Sequence, residues 1–247
     1  MLVATYNIHR GRGTAGWFRP RRIAGVIAEI RPDLIALQEA QHYFRRGTGM
    51  LDAAAIEHDL GLRLLRLAAS PGEQGWRSNL VLVRHDAEVL HGPVGLRLGG
   101  IEPRGAILAE LDFGQGPFRL IATHLSLGAE RRRLQARALL AAMETGAGRR
   151  LPTLLLGDFN EWRPHGSALG VLAPLFGEPP RAPTFPAFHP VASLDRIMAR
   201  PAVLVPGVEV HDTPLARRAS DHLPLKARLD TAVLAGGVVP GEGGAAA

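Results

Sequence analysis

The chain of 247 residues carries no cysteine, a formal charge of +6 and a hydrophobic fraction of 46%. Its length suits one large domain with a buried core, and the absence of cysteine excludes disulfide bridges and thiolate metal sites. The sequence shows neither a leader-like opening nor an apolar stretch near the ~20 residues of a membrane-spanning helix. We therefore expect a cytoplasmic, monomeric protein without stable membrane insertion.

The positive charge comes almost entirely from arginine, because Lys226 is the single lysine among 29 basic residues. Guanidinium groups bind phosphate through paired hydrogen bonds, so this composition suits a phosphate-bearing partner. A base composition that favours arginine on a solvated surface is the simpler explanation of the bias as a whole, and the phosphate partner stays open beside it.

Apolar, β-branched runs predict the strands of the protein. They cover residues 2–8, 33–39, 79–84, 106–113, 118–125, 153–159, 194–199 and 224–230. Several are continuous rather than alternating, which is typical of strands buried on both faces. Gly114 and Gly116 lie between two of these runs, which predicts a β-hairpin.

Three helices are predicted between the strands. The first begins at Pro20, shows apolar residues with a helical period and ends before Pro32. The second covers residues 51–61 and ends at Gly61. The third covers residues 130–146, with Leu134 on its apolar face and the arginines of residues 131–133 on a solvated face.

Strands outnumber helices, and the hairpin argues against a doubly wound parallel sheet. We expect an α/β sandwich with two packed sheets, mixed or antiparallel, flanked by helices. One catalytic domain over residues 1–230 and a flexible tail over 231–247 are predicted from composition.

A glycine pattern near the start, Gly11-x-Gly13-x-x-Gly16, offers a different function. It lies between a strand and a helix, and Glu39 ends the next strand, as in a dinucleotide-binding module. Polar residues follow the strand directly, however, and Pro20 starts the helix several residues after the last glycine. The pattern therefore favours an arginine-rich loop, and dinucleotide binding is kept as the alternative.

Polar side chains follow the ends of most predicted strands, which suggests one shared cleft. They are Asn7, Glu39, His124, Asp158, Asn160, Asp195, Asp221 and His222. Charged groups next to such apolar strands must be paired, hydrated or bound to metal. Carboxylate and amide oxygens favour Mg²⁺ or Mn²⁺, and histidines beside them serve as proton donors or stabilise charge. This combination suits metal-assisted hydrolysis of a phosphoester.

The same residues lie in motifs that resemble, in order, those of the endonuclease/exonuclease/phosphatase superfamily. The motifs are "TYNIH", "ALQEA", "RSNLVLVR", "ATHLS", "LLLGDFNEW", "SLDRIM" and "ASDHLPL", between residues 3 and 228. The superfamily includes deoxyribonucleases, abasic-site endonucleases, sphingomyelinases and inositol-polyphosphate phosphatases. The resemblance implies a four-layered α/β sandwich and a metal-dependent phosphoesterase.

The resemblance also implies a metal site. Glu39 would be the principal ligand of Mg²⁺ or Mn²⁺, helped by Asn7 and Asp221.

It further implies the catalytic roles. Asp158 would orient or deprotonate the attacking water, and Asn160 would hold a phosphate oxygen. His222 would stabilise the transition state while Asp195 fixes its tautomer. His124 would assist the leaving group.

We therefore expect a magnesium-dependent phosphodiesterase or nuclease-type hydrolase acting by direct attack of water. Nucleic acid, a phospholipid headgroup and a small phosphoester remain open as substrates. A catalytically inactive scaffold of the same fold is the other alternative. Two further residues each have two possible roles. Arg104 is a phosphate contact or a strand-edge arginine, and Asn79 is a positioning residue or a turn residue.

Overall fold

Two β-sheets packed face to face form the centre of the protein in the computed structural model, which describes residues 1–41, 49–68, 73–99 and 104–236. In spatial order the first sheet contains β10 (Glu209–Val210), β11 (Leu225–Arg228), β1 (Leu2–Asn7), β2 (Leu34–Gln38), β4 (Leu80–Arg84) and β3 (Leu62–Leu64). The second contains β5 (Glu88–Arg97), β6 (Gly105–Asp112), β7 (Phe118–His124), β8 (Thr153–Asp158) and β9 (Asp195–Arg200).

Both sheets are mixed. In the first, β1 pairs in parallel with β2 and antiparallel with β11. In the second, β7 and β8 are parallel while the other neighbours are antiparallel. The predicted hairpin is confirmed as β6 and β7, whose register pairs Gly105 with His124.

Six α-helices accompany the sheets in the described residues: α1 (Pro20–Ile30), α2 (Ala53–Leu60), α3 (Ala129–Met143), α4 (Ser167–Phe176), α5 (Ala216–Ala219) and α6 (Ala232–Ala235). Pro20 occupies the first turn of α1, and Gly61 caps α2 in the left-handed conformation, both as predicted.

Three apolar clusters hold the layers together. One lies between the sheets and includes Val3 and Leu120. The second joins the first sheet to α1 and α2 through residues such as Ile27. The third joins the second sheet to α3 and α4 through Leu139 and Leu172. The order helix, sheet, sheet, helix confirms the predicted α/β sandwich.

The buried face of α3 differs from the predicted one. Leu134 is 54% exposed, whereas Leu139 is fully buried. Arg132, placed on a solvated face by the sequence pattern, is 5% exposed and pairs with the buried Glu161.

Several elements were not predicted, and the longest of them are α4 and β5. Helix α4 lies between the predicted strands over residues 153–159 and 194–199, where no helix was predicted, and it holds Pro174 within its length. Strand β5 contains Gly92, Pro93 and Gly95 and pairs with β6 through irregular register, so it lacks the alternation that predicts a strand.

The first residues of the segment predicted as a flexible tail, 231–247, form a short helix. Helix α6 packs against the domain, with Leu234 at 1% exposure. Residues 237–247 lie outside the described residues.

Candidate active site

Three of the predicted site residues lie side by side at one end of the strands of the second sheet. His124 ends β7 and pairs in register with Asp158, which ends β8. Asp158 pairs in turn with Asp195, which begins β9. Residues in register on adjacent strands project from the same face of a sheet. The three side chains therefore share the face that packs against the first sheet, and all are at most 1% exposed.

Asn7, at the end of β1, connects the first sheet to this group. Its Nδ2 donates to Oδ2 of Asp158 at 2.9 Å. The amide is itself held, because Oδ1 accepts the backbone N–H of His9 at 3.0 Å. The Oγ of Ser220 donates to the Asn7 carbonyl at 2.7 Å, which ties the segment before His222 to the same strand.

Asp195 and His222 form a buried pair. Oδ2 of Asp195 lies 2.9 Å from Nδ1 of His222 and accepts a second hydrogen bond from Thr184 Oγ1 at 2.6 Å. The ring of Phe185 lies 4.9 Å from the imidazole, centroid to centroid. These contacts fix the imidazole so that Nε2 points toward Asp158, 3.9 Å from its Oδ2.

The pKa values of His222 and Asp158 are both shifted from their ordinary values. Burial opposes a charge on His222, but Asp195, with support from Asp158 and Asp221, outweighs it and raises the pKa of His222 to about 10. Burial raises the pKa of Asp158 to about 6, against the charge of His222 and the hydrogen bonds from Asn7 and Asn160. At neutral pH the geometry therefore holds an imidazolium beside a carboxylate of increased basicity.

His124 is the neutral member of the site. Burial, followed by the charge of Arg104, holds the pKa of His124 well below its ordinary value. Nη1 of Arg104 lies 2.7 Å from Nδ1 of His124. Asn160 Nδ2 lies 3.1 Å from His124 Nε2 and donates to the Leu125 carbonyl at 3.0 Å. Asn160 also donates its backbone N–H to Asp158 Oδ1 at 2.8 Å.

Glu39 and Asp221 lie beside this group rather than in it. Glu39 follows β2, directly after the residue that pairs with Asn7, and its Oε2 is 3.7 Å from Nε of Arg10. Asp221 Oδ1 is 3.6 Å from Nδ1 of His9. Because His9 and Arg10 are consecutive, the two carboxylates lie against one short turn next to Asn7.

The backbone around this turn is strained. Glu39 has a φ of 53° and Arg10 a φ of 53°, in the left-handed region that such side chains rarely adopt. Strain of this kind persists where the surroundings impose it and is concentrated at functional sites.

The donor set fits a hard divalent cation. Among the described residues, ligand atoms of Asp158, Asp195 and His222 lie within 4.8 Å of one another. Oδ1 of Asp195 is buried and has no hydrogen-bond partner in the described part of the chain. Glu39, Asp221 and the Asn7 amide supply further oxygen at the same edge. Oxygen ligands of this type are those that Mg²⁺ and Mn²⁺ prefer.

The glycine segment has a packing role. Helix α1 begins at Pro20, four positions after Gly16, so the helix terminus does not follow the glycines directly. A Cβ added at Gly13 would lie 2.2 Å from the backbone oxygen of Arg218, so this glycine permits close approach to the end of α5.

Sequence reasoning did not identify Thr184, Phe185 or Ser220 as parts of the site. Thr184 and Phe185 belong to a stretch without periodic pattern, and the hydrogen bond of 2.8 Å from the Leu223 backbone N–H to the Thr184 carbonyl brings them to His222. Ser220 precedes Asp221 and His222 directly, and that adjacency was the available signal.

No helix of the described residues has both the length and the apolar character needed to cross a membrane.

Comparisons with known proteins agree with this architecture. The family model described as "Endonuclease/Exonuclease/phosphatase family" matches residues 4–222. No curated protein matches the chain significantly.

Three solved structures illustrate the likeness. An endonuclease/exonuclease/phosphatase from Bacteroides vulgatus is 19% identical, with a TM-score of 0.71 over 93% of this chain and 98% of that chain. A mannosyl-6-phosphatase of Bacteroides thetaiotaomicron is 19% identical, with a TM-score of 0.66 over 93% and 99%. D. rerio TDP2, complexed with a single-strand DNA product, is 15% identical, with a TM-score of 0.64 over 92% and 97%.

Proposed function

Since the chain belongs to the endonuclease/exonuclease/phosphatase family, we propose that it is a divalent-metal-dependent phosphoesterase that hydrolyses a phosphodiester by direct attack of water. The observation that carries this proposal is the buried contact between Asp158 and His222, whose Oδ2 and Nε2 atoms lie 3.9 Å apart. One group is suited to take a proton and the other to stabilise negative charge.

Asp158 is the proposed base. A carboxylate whose pKa is raised to about 6 by burial is ionised at neutral pH, yet more basic than an exposed aspartate. The hydrogen bonds from Asn7 Nδ2 and from the Asn160 backbone hold it in one orientation. It can therefore orient a water and accept its proton without side-chain rearrangement.

His222 is the proposed stabiliser of the transition state. Nδ1–H is engaged by Asp195, so Nε2–H is the donor that faces the cleft. With a pKa near 10, the imidazole carries its charge before the reaction starts. A fixed cation at this position stabilises the charge that develops on the phosphoryl oxygens.

Asn160 and His124 are assigned to the phosphate and the leaving group. The Asn160 amide lies between His124 and Leu125, so its position is fixed by the end of β7. The neutral His124, held by Arg104, can donate or accept a hydrogen bond at the leaving oxygen.

The cation proposed for this site is Mg²⁺ or Mn²⁺. We propose that Glu39 is its principal ligand, with Asn7 and Asp221, because these oxygens surround one strained turn at the edge of the cleft. Such an ion, when bound, polarises the phosphoryl oxygens of the substrate.

A substrate panel tests the function. Plasmid DNA, an RNA oligomer, a lysophospholipid, an inositol phosphate and bis(4-nitrophenyl) phosphate are each incubated with the protein and Mg²⁺. We expect hydrolysis of at least one diester, its loss on addition of EDTA and its absence in Asp158→Asn. Hydrolysis in H₂¹⁸O under single-turnover conditions should place the label in the phosphate product. A wild-type protein inert on the whole panel, or an active Asp158→Asn variant, would contradict the proposal.

A further inference from the structure

The row of site residues continues beyond His124 to an arginine. Gly105 pairs with His124 on one side and with Arg97, the last residue of β5, on the other. Arg97 therefore projects from the same face of the sheet as His124. Adjacent strands lie about 4.8 Å apart, so the Cα atom of Arg97 is roughly 10 Å from that of His124.

Trp76 fills the gap in this row. A Cβ added at Gly95 would lie 2.4 Å from Trp76 Cδ2, and one added at Gly105 would lie 2.9 Å from Trp76 Nε1. The two glycines thus leave a hollow that the indole occupies, and its Nε1 donates to the Leu96 carbonyl at 2.9 Å. The indole is fixed in the hollow, between Arg97 and the catalytic residues.

Two guanidinium groups lie over this indole. The Cζ atoms of Arg77 and Arg97 are 5.6 Å and 5.7 Å from the centre of the Trp76 ring. Within residues 1–41, 49–68, 73–99 and 104–236, neither arginine forms an ion pair with a carboxylate. Two like charges held together by one aromatic ring attract an anion.

The turn that presents Arg77 is strained and firmly held. Trp76 and Asn79 exchange backbone hydrogen bonds of 2.8 Å and 2.9 Å, and Arg77 and Ser78 between them have φ values of 47° and 63°. Turns of this type normally require Asn-Gly. Asn79, which is 1% exposed, donates its Nδ2 to the Gly105 carbonyl at 3.0 Å. A strained turn kept in place by a buried amide indicates a positional requirement for Arg77.

We propose that Trp76, Arg77 and Arg97, together the Trp76 site, bind a second phosphate of the substrate whose first phosphate reacts at Asp158 and His222. The proposal rests on the proposed function and specifies its substrate class. The indole of Trp76 lies over Gly105, between Arg97 and His124 in the row, and separates the two positions, so each takes its own phosphate and the substrate carries at least two. The ligand class is a single strand of nucleic acid, whose phosphates follow one another along a line.

The surroundings favour a nucleic acid strand over an anionic membrane. The half-buried indole of Trp76 packs against the core between the sheets and has the two guanidinium groups over its ring, so a charged strand suits it better than lipid chains. The site is also aligned with the catalytic row across three adjacent strands. Backbone binding of this kind depends on charge and is sensitive to salt.

Binding of a labelled oligonucleotide tests the proposal directly. A fluorescein-labelled single-stranded oligodeoxynucleotide is titrated at several salt concentrations with Asp158→Asn protein, alone and combined with Arg97→Gln or Arg77→Gln. For each arginine removed we expect about tenfold weaker binding and a slope of log affinity against log salt that is smaller by about 0.7. Arg97→Lys should keep the slope.

Arg149→Gln is the matched control, because this exposed arginine precedes β8 and so lies at the opposite end of the strand from Asp158. It removes the same charge and should leave slope and affinity unchanged. Equal effects of Arg97→Gln and Arg149→Gln would overturn the proposal, since they would show dependence on net charge alone.

A kinetic comparison separates this proposal from the proposed function. On the otherwise wild-type chain, Arg97→Gln should raise KM for the oligonucleotide about tenfold more than KM for bis(4-nitrophenyl) phosphate. A wild-type protein inert on both substrates but binding the oligonucleotide through Arg77 and Arg97 would contradict only the proposed function. Hydrolysis of the small diester with no effect of either arginine on the oligonucleotide would overturn only the Trp76 site. Arginine-dependent binding to phosphatidylserine vesicles without oligonucleotide binding would also overturn it.

Discussion

The hydrogen bond between Asp195 and His222 determines the charge of the imidazole. Burial alone would lower the pKa of His222, and the paired carboxylate reverses the direction. The charge at the cleft is therefore a property of the pair, and it depends on Asp195, which is fully buried.

The pH dependence of turnover should report this pair. Asp158 must be ionised to accept a proton, so kcat/KM should rise with pH through about 6. His222 must be protonated, so kcat/KM should fall as pH passes about 10. In Asp195→Asn the loss of the carboxylate lowers the pKa of His222, and the upper limb should move to lower pH. A pH–rate profile of both proteins checks this, and an unmoved upper limb would show that His222 is not the titrating group.

Loss of either central group should abolish turnover without unfolding the protein. Asp158→Asn and His222→Gln should each reduce kcat about a thousandfold, in the range usual for a general base or a fixed charge. His165→Gln is the control, because that histidine lies 74% exposed beside Glu178. Steady-state kinetics with circular dichroism would show the difference, and near-normal rates in either central variant would refute the assignment.

At this scale the sequence is informative where a polar residue directly follows a buried strand. Asn7, His124 and Asp158 are recognisable because continuous apolar runs precede them. Thr184 carries no such signal, since its hydrogen bond to Asp195 depends on an irregular segment. Glu39 was predicted as a metal ligand, and its position beside Arg10 leaves that role as a proposal.

Helix α3 shows what periodicity leaves undetermined at the scale of an element. Its arginines and alanines permit several apolar faces, and the choice is made by contacts with α4 and the second sheet. Arg132 is buried because Glu161 is available to it across the layer. Neither partner could be assigned from local pattern, since they are 29 positions apart.

Two leucines on α3 provide a matched test of its orientation. Leu139→Ala removes a fully buried side chain and should lower the free energy of unfolding by about 3 kcal/mol. Leu134→Ala alters a side chain that is 54% exposed and should change it by less than about 0.5 kcal/mol. Urea unfolding of both variants is the measurement. A larger loss of unfolding free energy in Leu134→Ala than in Leu139→Ala would show that α3 buries the face predicted from the sequence.

The pair of Arg132 and Glu161 should be important for stability. Nη2 of Arg132 lies 3.2 Å from Glu161 Oε1, and Glu161 also accepts from Ser167 Oγ at 2.8 Å, at the start of α4. Arg132→Met leaves a buried carboxylate without its cation and should cost about 3 kcal/mol.

Arg133→Met is the control for this change. Arg133 is 47% exposed and pairs with the exposed Glu130, so its loss should cost less than about 0.5 kcal/mol. Similar unfolding midpoints for the two variants would contradict a structural role of the buried pair.

At the scale of the whole molecule, the predicted sandwich follows from counting strands and recognising one hairpin. The order of strands within each sheet does not follow, because register is fixed by contacts distant in the chain. The convergence of Asn7 and Asp158, 151 positions apart, is of this kind. The polar residues at strand ends suggested a shared cleft in advance, and the family motifs assigned the residues their roles in it.

Metal binding should stabilise the folded protein as a whole. A ligand that binds the native state alone adds about 2.7 kcal/mol at a hundredfold excess over its dissociation constant. Thermal unfolding with and without Mg²⁺ should therefore show a higher Tm for wild type. Glu39→Gln should remove most of this shift if Glu39 is the principal ligand. An unchanged shift in Glu39→Gln together with a lost shift in Asp195→Asn would place the ion at the Asp158, Asp195 and His222 cluster instead.

Strand β1 lies in the interior of its sheet, and its neighbour β11 follows it in the chain only after every other strand of the described residues. Until Leu225–Arg228 emerges, one edge of β1 has no strand to pair with. His222 is synthesised only just before that strand. A chain cut short before residue 222 therefore lacks both the closing strand and the imidazole of the proposed site, and we expect it to be inactive.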